Sequence, residues 1–431
     1  MKSFYLLTLG CSKNEVISQK FIESLLKKGL IKSDIPDQAD YIIINSCGFI
    51  EDALKETIEE VIKHSKFKMK NSKIILTGCA ANLYKDLFEK ELYEADIVLN
   101  YDQFYKFFDI ESYEKTIKRK IENKKWEYLL ISEGCNKNCT FCTIPLIKGN
   151  YRSFELNQLT SEVNILKNAG VEEIILISQD TAYYGMDLYK NTFKNPLKKL
   201  LELIHNNGIE KIRILYFNLD SILSIDKFEY IKDIYSNDFV IPYFEIPVQN
   251  LVDNTLKRMG RSIDYKNIEL IFSKIKKNFN NSVIRTSIIT GFPGETDEDY
   301  LLLKQRLMNL PVDYLNVFAY SDMEKAPSYK MKDKVDPKVA IERRNDLLET
   351  FENSLKKRFE RFIGFEDYIY IEDEDKDFYI GRASFQTPDL DGLTYIYKDK
   401  KSKKIIGKNY NKKIKIKIID SFFYDFYGET I

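Results

Sequence analysis

Between residues 133 and 145 the chain reads Glu133-Gly134-Cys135-Asn136-Lys137-Asn138-Cys139-Thr140-Phe141-Cys142-Thr143-Ile144-Pro145. Its cysteines have the spacing Cys-x3-Cys-x2-Cys and follow the predicted strand Glu127–Ser132. Three thiolates on one short loop can hold three irons of a cubane cluster and leave the fourth iron open to a substrate or cofactor. Structural zinc is the alternative, but zinc sites usually have four ligands, and the only histidines are the distant His64 and His205.

The other three cysteines, Cys11, Cys47 and Cys79, occupy equivalent places in a threefold pattern. Each follows an apolar run and precedes a helix-like stretch; the runs are 5–9, 41–44 and 73–76. Alternating strands and helices predict βαβ units and a parallel α/β sheet. The carboxyl ends of parallel strands meet at one edge, where open α/β sheets bind ligands. The pattern therefore predicts a second three-thiol site there, because three structural cysteines in equivalent positions are hard to explain otherwise.

Six further β/α units are predicted between residues 127 and 320. The strands are Glu127–Ser132, Glu173–Ser178, Lys211–Tyr216, Tyr243–Pro247, Val283–Ile289 and Tyr314–Ala319, with helices such as Leu156–Ala169 and Asp264–Asn278. This alternation fits an open or partial (β/α) barrel with ligands at the carboxyl ends of its strands.

The last hundred residues predict a connector and a small domain. One long charged helix is expected from Asp336-Pro337 to Arg361, with Pro337 in its first turn. Beyond it, β-branched and aromatic runs with glycine turns predict a small antiparallel β-barrel. Its predicted strands are Asp367–Ile371, Tyr379–Ser384, Leu393–Tyr397 and Lys412–Ile419.

Composition narrows the class of protein. The 431 residues suggest two to four domains, and a net charge of zero does not suggest a general nucleic-acid binder. No apolar run is long enough to span a membrane, and the N-terminus lacks a signal-peptide core. We therefore expect a cytoplasmic location, where thiols stay reduced and metal binding is a better interpretation of six cysteines than disulfides.

Several other residues near predicted strand ends are candidates for ligand contact. Gly291-Phe292-Pro293-Gly294-Glu295-Thr296 follows a strand, and Gly291 and Gly294 there would allow close approach to a ligand. The segment is not a phosphate-binding P-loop, because the Gly-Lys-Ser/Thr ending is absent. Gln179, Asp180 and Gln249 could contact a cofactor or substrate, or make ordinary structural hydrogen bonds.

The loop at Cys135, Cys139 and Cys142 closely resembles the signature of the radical S-adenosylmethionine (SAM) superfamily. The resemblance implies that the open iron chelates the amino and carboxylate groups of SAM. It further implies that one electron from the reduced cluster cleaves SAM to a 5′-deoxyadenosyl radical. By the same resemblance Phe141 would lie beside the adenine, although a packed core aromatic is the alternative. The turn at residues 291–296 would border the SAM pocket.

The whole chain resembles the methylthiotransferase family of radical SAM enzymes. Three domains are implied: an auxiliary-cluster domain over residues 1–115, a radical SAM core over 121–355 and a TRAM-like β-barrel over 358–431. The family replaces C–H with C–S–CH3, consumes two SAM molecules and carries a second [4Fe-4S] cluster, here at Cys11, Cys47 and Cys79. It needs a sulfur source and a low-potential electron donor such as flavodoxin or ferredoxin.

Short motifs distinguish the branches of that family. Ser178-Gln179-Asp180-Thr181 and Tyr184-Gly185-Met186-Asp187 resemble the branch that methylthiolates the β-carbon of an aspartate in ribosomal protein S12. Nearly equal numbers of acidic and basic side chains after residue 361 also fit a protein partner better than tRNA. The alternatives are a tRNA adenosine methylthiotransferase and a non-catalytic, metal-containing ribosome- or RNA-binding protein. Asn250, where the family has His, and Tyr151-Arg152-Ser153-Phe154 depart from the family pattern.

Overall fold

The computed structural model describes residues 1–69, 71–119, 121, 124–222, 227–406 and 413–431. They form a parallel α/β sheet, an open parallel (β/α) sheet and a closed β-barrel, in that order along the chain. This architecture confirms the predicted fold class. No helix in these ranges is long and apolar enough to cross a membrane.

The first sheet has five parallel strands in the order β2-β1-β3-β4-β5. Its elements are β1 Ser3–Thr8, α1 Ser12–Lys27, β2 Ile31–Lys32, β3 Tyr41–Ser46, α2 Glu51–Ser65, β4 Lys73–Gly78, α3 Cys79–Glu91, β5 Ile97–Val98 and α4 Tyr101–Phe108. The three predicted strands are present, and the order of connection reverses between β1 and β3. Such a reversal opens a crevice at the carboxyl ends of the strands.

The second sheet has six parallel strands in the order β13-β12-β11-β10-β9-β6 and does not close. The strands of this region are β6 Trp126–Leu130, β7 Ser132–Glu133, β8 Arg152–Ser153, β9 Glu173–Ile177, β10 Lys211–Ile214, β11 Val240–Glu245, β12 Val283–Thr290 and β13 Tyr314–Ala319. The helices are α5 Ile144–Lys148, α6 Leu156–Asn168, α7 Pro196–Asn206, α8 Leu219–Ile222, α9 Lys227–Tyr235, α10 Asp253–Arg258, α11 Tyr265–Asn278, α12 Asp297–Asn309 and α13 Pro337–Glu352. The predicted partial barrel is confirmed, and β7 pairs with β8 in a separate small ribbon.

Strand β11 begins earlier than predicted. The sequence pattern placed its start at Tyr243. The structure instead starts the strand at Val240 and absorbs Pro242 in a register shift against β10.

The single long helix predicted from residue 336 to Arg361 is wrong. Helix α13 ends at Glu352, and the short α14 Leu355–Phe359 follows. At the break the Ser354 hydroxyl donates to the Phe351 carbonyl at 2.6 Å and accepts from Arg358 Nε at 2.7 Å. A serine hydroxyl bonded to the preceding turn competes with the helical ladder, which explains the interruption.

The C-terminal strands close into a five-stranded barrel of order β14-β15-β16-β18-β17. Its elements are β14 Glu366–Glu374, β15 Phe378–Gly381, β16 Thr394–Tyr397, α15 Lys400–Ile406, β17 Lys413–Phe422 and β18 Asp425–Thr430. All pairs are antiparallel except β16 with β18. The prediction missed β18 and α15, and Lys412, where one strand was expected to start, lies outside the described residues. Short 3₁₀ helices elsewhere span Pro36–Gln38, Thr181–Tyr183, Pro327–Lys330 and Glu360–Phe362.

Candidate active site

Three cysteines lie at the carboxyl edge of the first sheet, beside its order reversal. Cys11 follows β1, Cys47 follows β3, and Cys79 is the first residue of α3 after β4. Their exposure runs from the exposed Cys11 to the buried Cys79, and all three are free thiols. The parallel strands therefore bring together residues that are far apart in the sequence, as predicted.

Asn14 on α1 ties the three strand ends to one another. Its side-chain Nδ2 donates to the Leu9 carbonyl at 2.9 Å and to the Ser46 carbonyl at 3.0 Å. The Cys79 thiol lies 3.6 Å from Asn14 Oδ1. One buried amide thus fixes the loops that carry the whole N-terminal triplet, defined here as Cys11, Cys47 and Cys79.

Gly10 permits the closest approach within this triplet. Its φ of +93° is left-handed, and a Cβ built on it would lie 2.7 Å from Cys47 Cβ and 2.8 Å from Cys47 Sγ. Real Cβ atoms do not tolerate such distances, so only glycine allows the β1 loop to pass this thiol.

The thiols of the N-terminal triplet are close enough to influence one another. The pKa of Cys47 is raised to about 11, chiefly by burial and in part by the nearby Cys79 and Cys11 thiols. Burial also raises the pKa of Cys79, while the nearby Lys148 ammonium opposes that shift. Clustered thiols of this kind become thiolates when they bind metal.

The second triplet, Cys135, Cys139 and Cys142, lies on the loop between β7 and α5. The backbone N–H of Lys137 donates to Cys135 Sγ at 3.4 Å, and that of Ile144 donates to Cys142 Sγ at 3.4 Å. Burial raises the pKa of Cys135 to about 11 and that of Cys142 to about 12. N–H donors aimed at sulfur stabilise thiolate ligands and tune the potential of a cluster.

Arg261 brings positive charge to the same loop. Its Nη1 lies 3.8 Å from Cys139 Sγ, and its Nε forms an ion pair with Asp220 Oδ2 at 2.8 Å. Nη2 donates to Asn218 Oδ1 at 3.1 Å, so the guanidinium is held on two further sides. The arginine can compensate the negative charge of bound thiolates without being free to move away.

Glu133, directly before the loop, is a buried carboxylate with three partners. It accepts hydrogen bonds from Tyr113 Oη at 2.6 Å and from Gln179 Nε2 at 2.6 Å, and Lys148 Nζ lies 3.5 Å away. Burial disfavours its charged form, but these partners outweigh burial and lower the pKa of Glu133. The carboxylate is therefore ionised and satisfied inside the protein.

Lys148 connects this carboxylate to the N-terminal triplet. Its Nζ donates to Tyr101 Oη at 3.2 Å, and Tyr101 Oη lies 4.0 Å from Cys79 Sγ. A continuous buried path, Glu133–Lys148–Tyr101–Cys79, thus runs from the second cysteine loop to the first. This path connects the loops that carry the two triplets.

Two predicted polar residues at the end of β9 carry oxygens without partners. Among the described residues, no hydrogen bond reaches the buried Gln179 Oε1 or Asp180 Oδ1. Burial raises the pKa of Asp180 to about 6, although Ser221 donates a hydrogen bond to its other oxygen. Buried polar atoms in this state mark a place where a bound ligand could complete the hydrogen bonding.

Phe141 packs into a small apolar cluster rather than the main core. The cluster consists of Met259, Ile289 and Phe292, and Phe141 remains partly exposed beside it. Phe292 belongs to the predicted glycine turn, so this turn and the second cysteine loop share one apolar wall.

The glycines of that turn approach protein atoms closely. A Cβ built at Gly291 would overlap Ala340 of α13, and one built at Gly294 would overlap the Arg258 guanidinium. In the described structure the two glycines therefore make room for α13 and for the Arg258 side chain, which lies beside the cysteine loop.

Gln249 adopts a left-handed backbone at the end of β11, with φ of +72°. Its N–H donates to the Ser287 carbonyl at 2.8 Å, and its carbonyl accepts from Ile289 N–H at 2.8 Å. Non-glycine residues rarely adopt this conformation, and the two bonds to β12 hold it in place.

Among the described residues, no three His, Cys, Asp or Glu side chains converge in a way that could hold a single metal ion. A cubane binds each cysteine through a different iron, so its thiolates need not converge in this way. Each triplet could hold such a cluster.

Sequence reasoning missed several residues of this site. Asn14 and Glu133 stand close to predicted cysteine ligands, and that proximity was an available signal. Lys148, Tyr101 and Arg261 reach the cysteines only through the tertiary fold, and no local pattern marks them.

Three family models match successive parts of the chain. "Uncharacterized protein family UPF0004" matches residues 3–100, "Radical SAM superfamily" matches 129–307, and "TRAM domain" matches 363–431. These matches follow the order of the first sheet, the open parallel sheet and the closed barrel.

Several curated proteins are similar over nearly their whole length, and each is named ribosomal protein uS12 methylthiotransferase RimO. That of Clostridium tetani (strain Massachusetts / E88) is 34% identical, covering 98% of this chain and 96% of its own. That of Clostridium novyi (strain NT) is 36% identical, covering 98% and 97%. That of Aquifex aeolicus (strain VF5) is 35% identical, covering 90% and 89%.

A solved radical SAM methyltransferase, TsrM from Kitasatospora setae with cobalamin and a [4Fe-4S] cluster bound, shares the fold. It superposes with a TM-score of 0.53 at 12% identity, covering 76% of this chain and 77% of its own. The full-length relatives are similar enough to decide the family. The chain belongs to the RimO family of radical SAM methylthiotransferases.

Proposed function

We propose that this protein replaces a C–H bond at the β-carbon of an aspartate in ribosomal protein S12 (uS12) with C–S–CH3. One observation carries the proposal: the two cysteine triplets lie at the carboxyl edges of two parallel sheets, and the buried hydrogen bond from Lys148 to Tyr101 connects their loops. An unactivated C–H bond needs radical chemistry, because no side-chain base can readily remove that hydrogen as a proton.

Cys135, Cys139 and Cys142 are proposed to hold the [4Fe-4S] cluster that reduces SAM, and in that sense are the catalytic cysteines. When bound, this cluster supplies the electron for the cleavage of SAM. The chain supplies the N–H donors of Lys137 and Ile144 and the charge of Arg261 around the thiolates.

Cys11, Cys47 and Cys79 are proposed to hold a second [4Fe-4S] cluster that handles sulfur. Support comes from their common edge, from the Asn14 bonds that join their loops and from the space that Gly10 leaves beside Cys47. Lys148 and Tyr101 provide a positive charge and a hydroxyl at its buried side.

The SAM-binding residues are proposed from the second sheet. Phe141 offers a partly exposed aromatic face for the adenine, beside the turn that carries Gly291 and Gly294. The unpartnered oxygens of Gln179 and Asp180 could accept hydrogen bonds from SAM or substrate. Gln249 is a further candidate, because two backbone hydrogen bonds to β12 hold it in a left-handed conformation beyond the end of β11.

The remaining components follow from the family. We propose ribosomal protein S12 as the protein partner, a low-potential donor such as flavodoxin or ferredoxin, and a separate source of sulfur. A ribosomal protein as substrate also supports a cytoplasmic location. The proposed domain limits are 1–115, 121–355 and 358–431.

The substrate is tested by offering two candidates separately. The protein is reconstituted with iron and sulfide without oxygen, then incubated with SAM, a reductant and either an S12-derived peptide or a tRNA lacking the modification. Mass spectrometry is expected to find one SCH3 in place of H on the peptide alone. Gain on tRNA alone would overturn the substrate, and no gain together with no SAM cleavage would favour a non-catalytic binding protein.

A further inference from the structure

Lys13 reaches from the first sheet to the second. It lies on α1, two residues after Cys11, and its Nζ is 3.3 Å from the ring centroid of Tyr216. Tyr216 follows β10 of the open parallel sheet. The ammonium is therefore placed where the two sheet edges meet, with the N-terminal triplet on one side and strand ends on the other.

The backbone of Tyr216, whose ring contacts the Lys13 ammonium, is itself constrained. Tyr216 has a left-handed φ of +58°, a conformation that is unfavourable for a residue other than glycine. Its N–H donates to the Glu245 carboxylate, and its carbonyl accepts from Thr181 N–H at 3.1 Å. The neighbouring strand ends thus fix a constrained residue whose ring lies under Lys13.

The ammonium of Lys13 has no carboxylate as a direct partner. Among the described residues, none lies within ion-pair distance of its Nζ; Cys11 and Glu245 interact with it electrostatically, but Glu245 is occupied by the Tyr216 N–H. A half-buried ammonium without a counter-ion is an unfavourable arrangement unless a ligand supplies one. An aromatic face stabilises the cation only partly and leaves its N–H donors available.

We propose that Lys13 binds the carboxylate of the acidic side chain that is modified, and so selects aspartate over asparagine. This inference rests on the proposed function, because it assumes that a peptide aspartate enters between the two triplets. A charged carboxylate forms a charge-assisted hydrogen bond to the ammonium, which a neutral amide cannot match. Lys13 would act as a specificity-determining residue and not as a ligand of either cluster.

The test compares two peptides on the anaerobically reconstituted protein. An S12-derived peptide and its Asp→Asn counterpart, each with a fluorescent label, are titrated without SAM, and their dissociation constants are measured by anisotropy. Hydrogen bonds to charged groups contribute about 1.5–3 kcal/mol, so the wild-type protein should prefer the Asp peptide by roughly tenfold to a hundredfold.

Three variants make the test specific. Lys13→Met should abolish this preference by weakening the Asp peptide and leaving the Asn peptide unchanged, whereas Lys13→Arg should retain it. The matched control, Lys27→Met, removes an exposed lysine from the same helix and should leave both affinities unchanged. Iron and sulfide contents are measured for each. If Lys13→Met loads poorly, Lys13→Gln takes its place, because it also removes the charge and should likewise abolish the preference.

Several outcomes would overturn the inference. They are a wild-type protein that binds both peptides equally, a Lys13→Met variant that keeps the preference, and one that weakens both peptides equally. If the wild-type protein still methylthiolates the Asp peptide, only the role of Lys13 fails. If it neither binds nor modifies the peptide, the proposed function fails with it.

Discussion

Asp180 is a single buried carboxyl whose titration should be visible in stability. Burial raises its pKa to about 6, above the usual 3.8, so the folded chain binds its proton more tightly than the unfolded chain does. The free energy of unfolding therefore loses a contribution as pH rises from about 4 to about 6.

Asp180→Asn should remove this pH-dependent loss. Relative to wild type, the variant should gain about 1–3 kcal/mol of unfolding free energy between pH 4 and pH 6.5, since one pKa unit is worth about 1.4 kcal/mol. Urea denaturation of the reduced, cluster-free protein at several pH values measures this. Asp86→Asn is the control, because that carboxyl is exposed on α3 of the first sheet. A constant difference between Asp180→Asn and wild type across the range would contradict the prediction.

Some residues of the site can be predicted from a local sequence pattern, whereas others come close to it only in the folded chain. The spacing of Cys135, Cys139 and Cys142 is a local signature and could be read directly. Lys13 stands beside Cys11 in the sequence, yet nothing local indicates that its ammonium meets a ring from the second sheet. Arg261 lies more than one hundred residues after the thiol it approaches, and only the tertiary fold joins them.

At the scale of elements, the loop after β1 depends on one glycine. Gly10→Ala would place a methyl group against Cys47, in addition to the backbone cost of a left-handed alanine. We expect the loop to shift and the N-terminal triplet to lose its cluster, so that iron bound per chain after anaerobic reconstitution falls toward half.

Gly29→Ala is the matched control for that substitution. Gly29 also has a left-handed backbone, with φ of +83°, but no atom lies within 4 Å of a Cβ built there. This variant should bear the same backbone cost and keep its full iron content. Equal iron contents in the two variants would show that the crowding at Cys47 has no consequence.

Helices and strands were predicted correctly where the sequence pattern was long. The prediction failed where one side chain ends a helix or where a partner strand is needed to form a strand. Strand β12 has β-branched side chains at six of its eight positions, and it was predicted to within one residue of its bounds. The break after α13 depends on the Ser354 hydroxyl, which a helical pattern does not reveal. Strand β18 exists because it closes the barrel between β16 and β17, and its own sequence contains Gly428 and two acidic residues.

At the scale of the whole molecule, a buried ion network joins the first sheet to the second. Lys20 on α1 pairs with Glu162 on α6 at 2.8 Å, and Arg119 pairs with the same carboxylate at 3.0 Å. The side chains of all three are fully buried. The network therefore helps to hold the N-terminal triplet against the second one.

Lys20→Met should lower the free energy of unfolding by about 3–5 kcal/mol, because it leaves buried charges incompletely paired. Lys55→Met is the control: its 2.9 Å pair with Glu51 is exposed, and its loss should cost at most about 1 kcal/mol. Chemical denaturation measures both variants. Similar small losses in the two would mean that the buried network does not stabilise the fold.

The sequence predicted that the N-terminal triplet would assemble, because parallel strands end at a common edge, and that the second triplet would lie on one short loop. It did not predict how the two edges face each other. That arrangement depends on Lys20 with Glu162 and on Lys148 with Tyr101, contacts that join separate sheets and leave no periodic signal. For the same reason the bridge through Tyr101 could be found only in the folded chain.

The division of work between the triplets is tested most directly by analysing the products of three proteins. The wild-type chain, a Cys11→Ala/Cys47→Ala/Cys79→Ala variant and a Cys135→Ala/Cys139→Ala/Cys142→Ala variant are reconstituted and given SAM, reductant, sulfide and the S12 peptide. Mass spectrometry quantifies 5′-deoxyadenosine and the methylthiolated peptide. The wild type should form both products, the first variant only 5′-deoxyadenosine, and the second variant neither. Methylthiolated peptide from the first variant, or 5′-deoxyadenosine from the second, would contradict the assignment of the two sites.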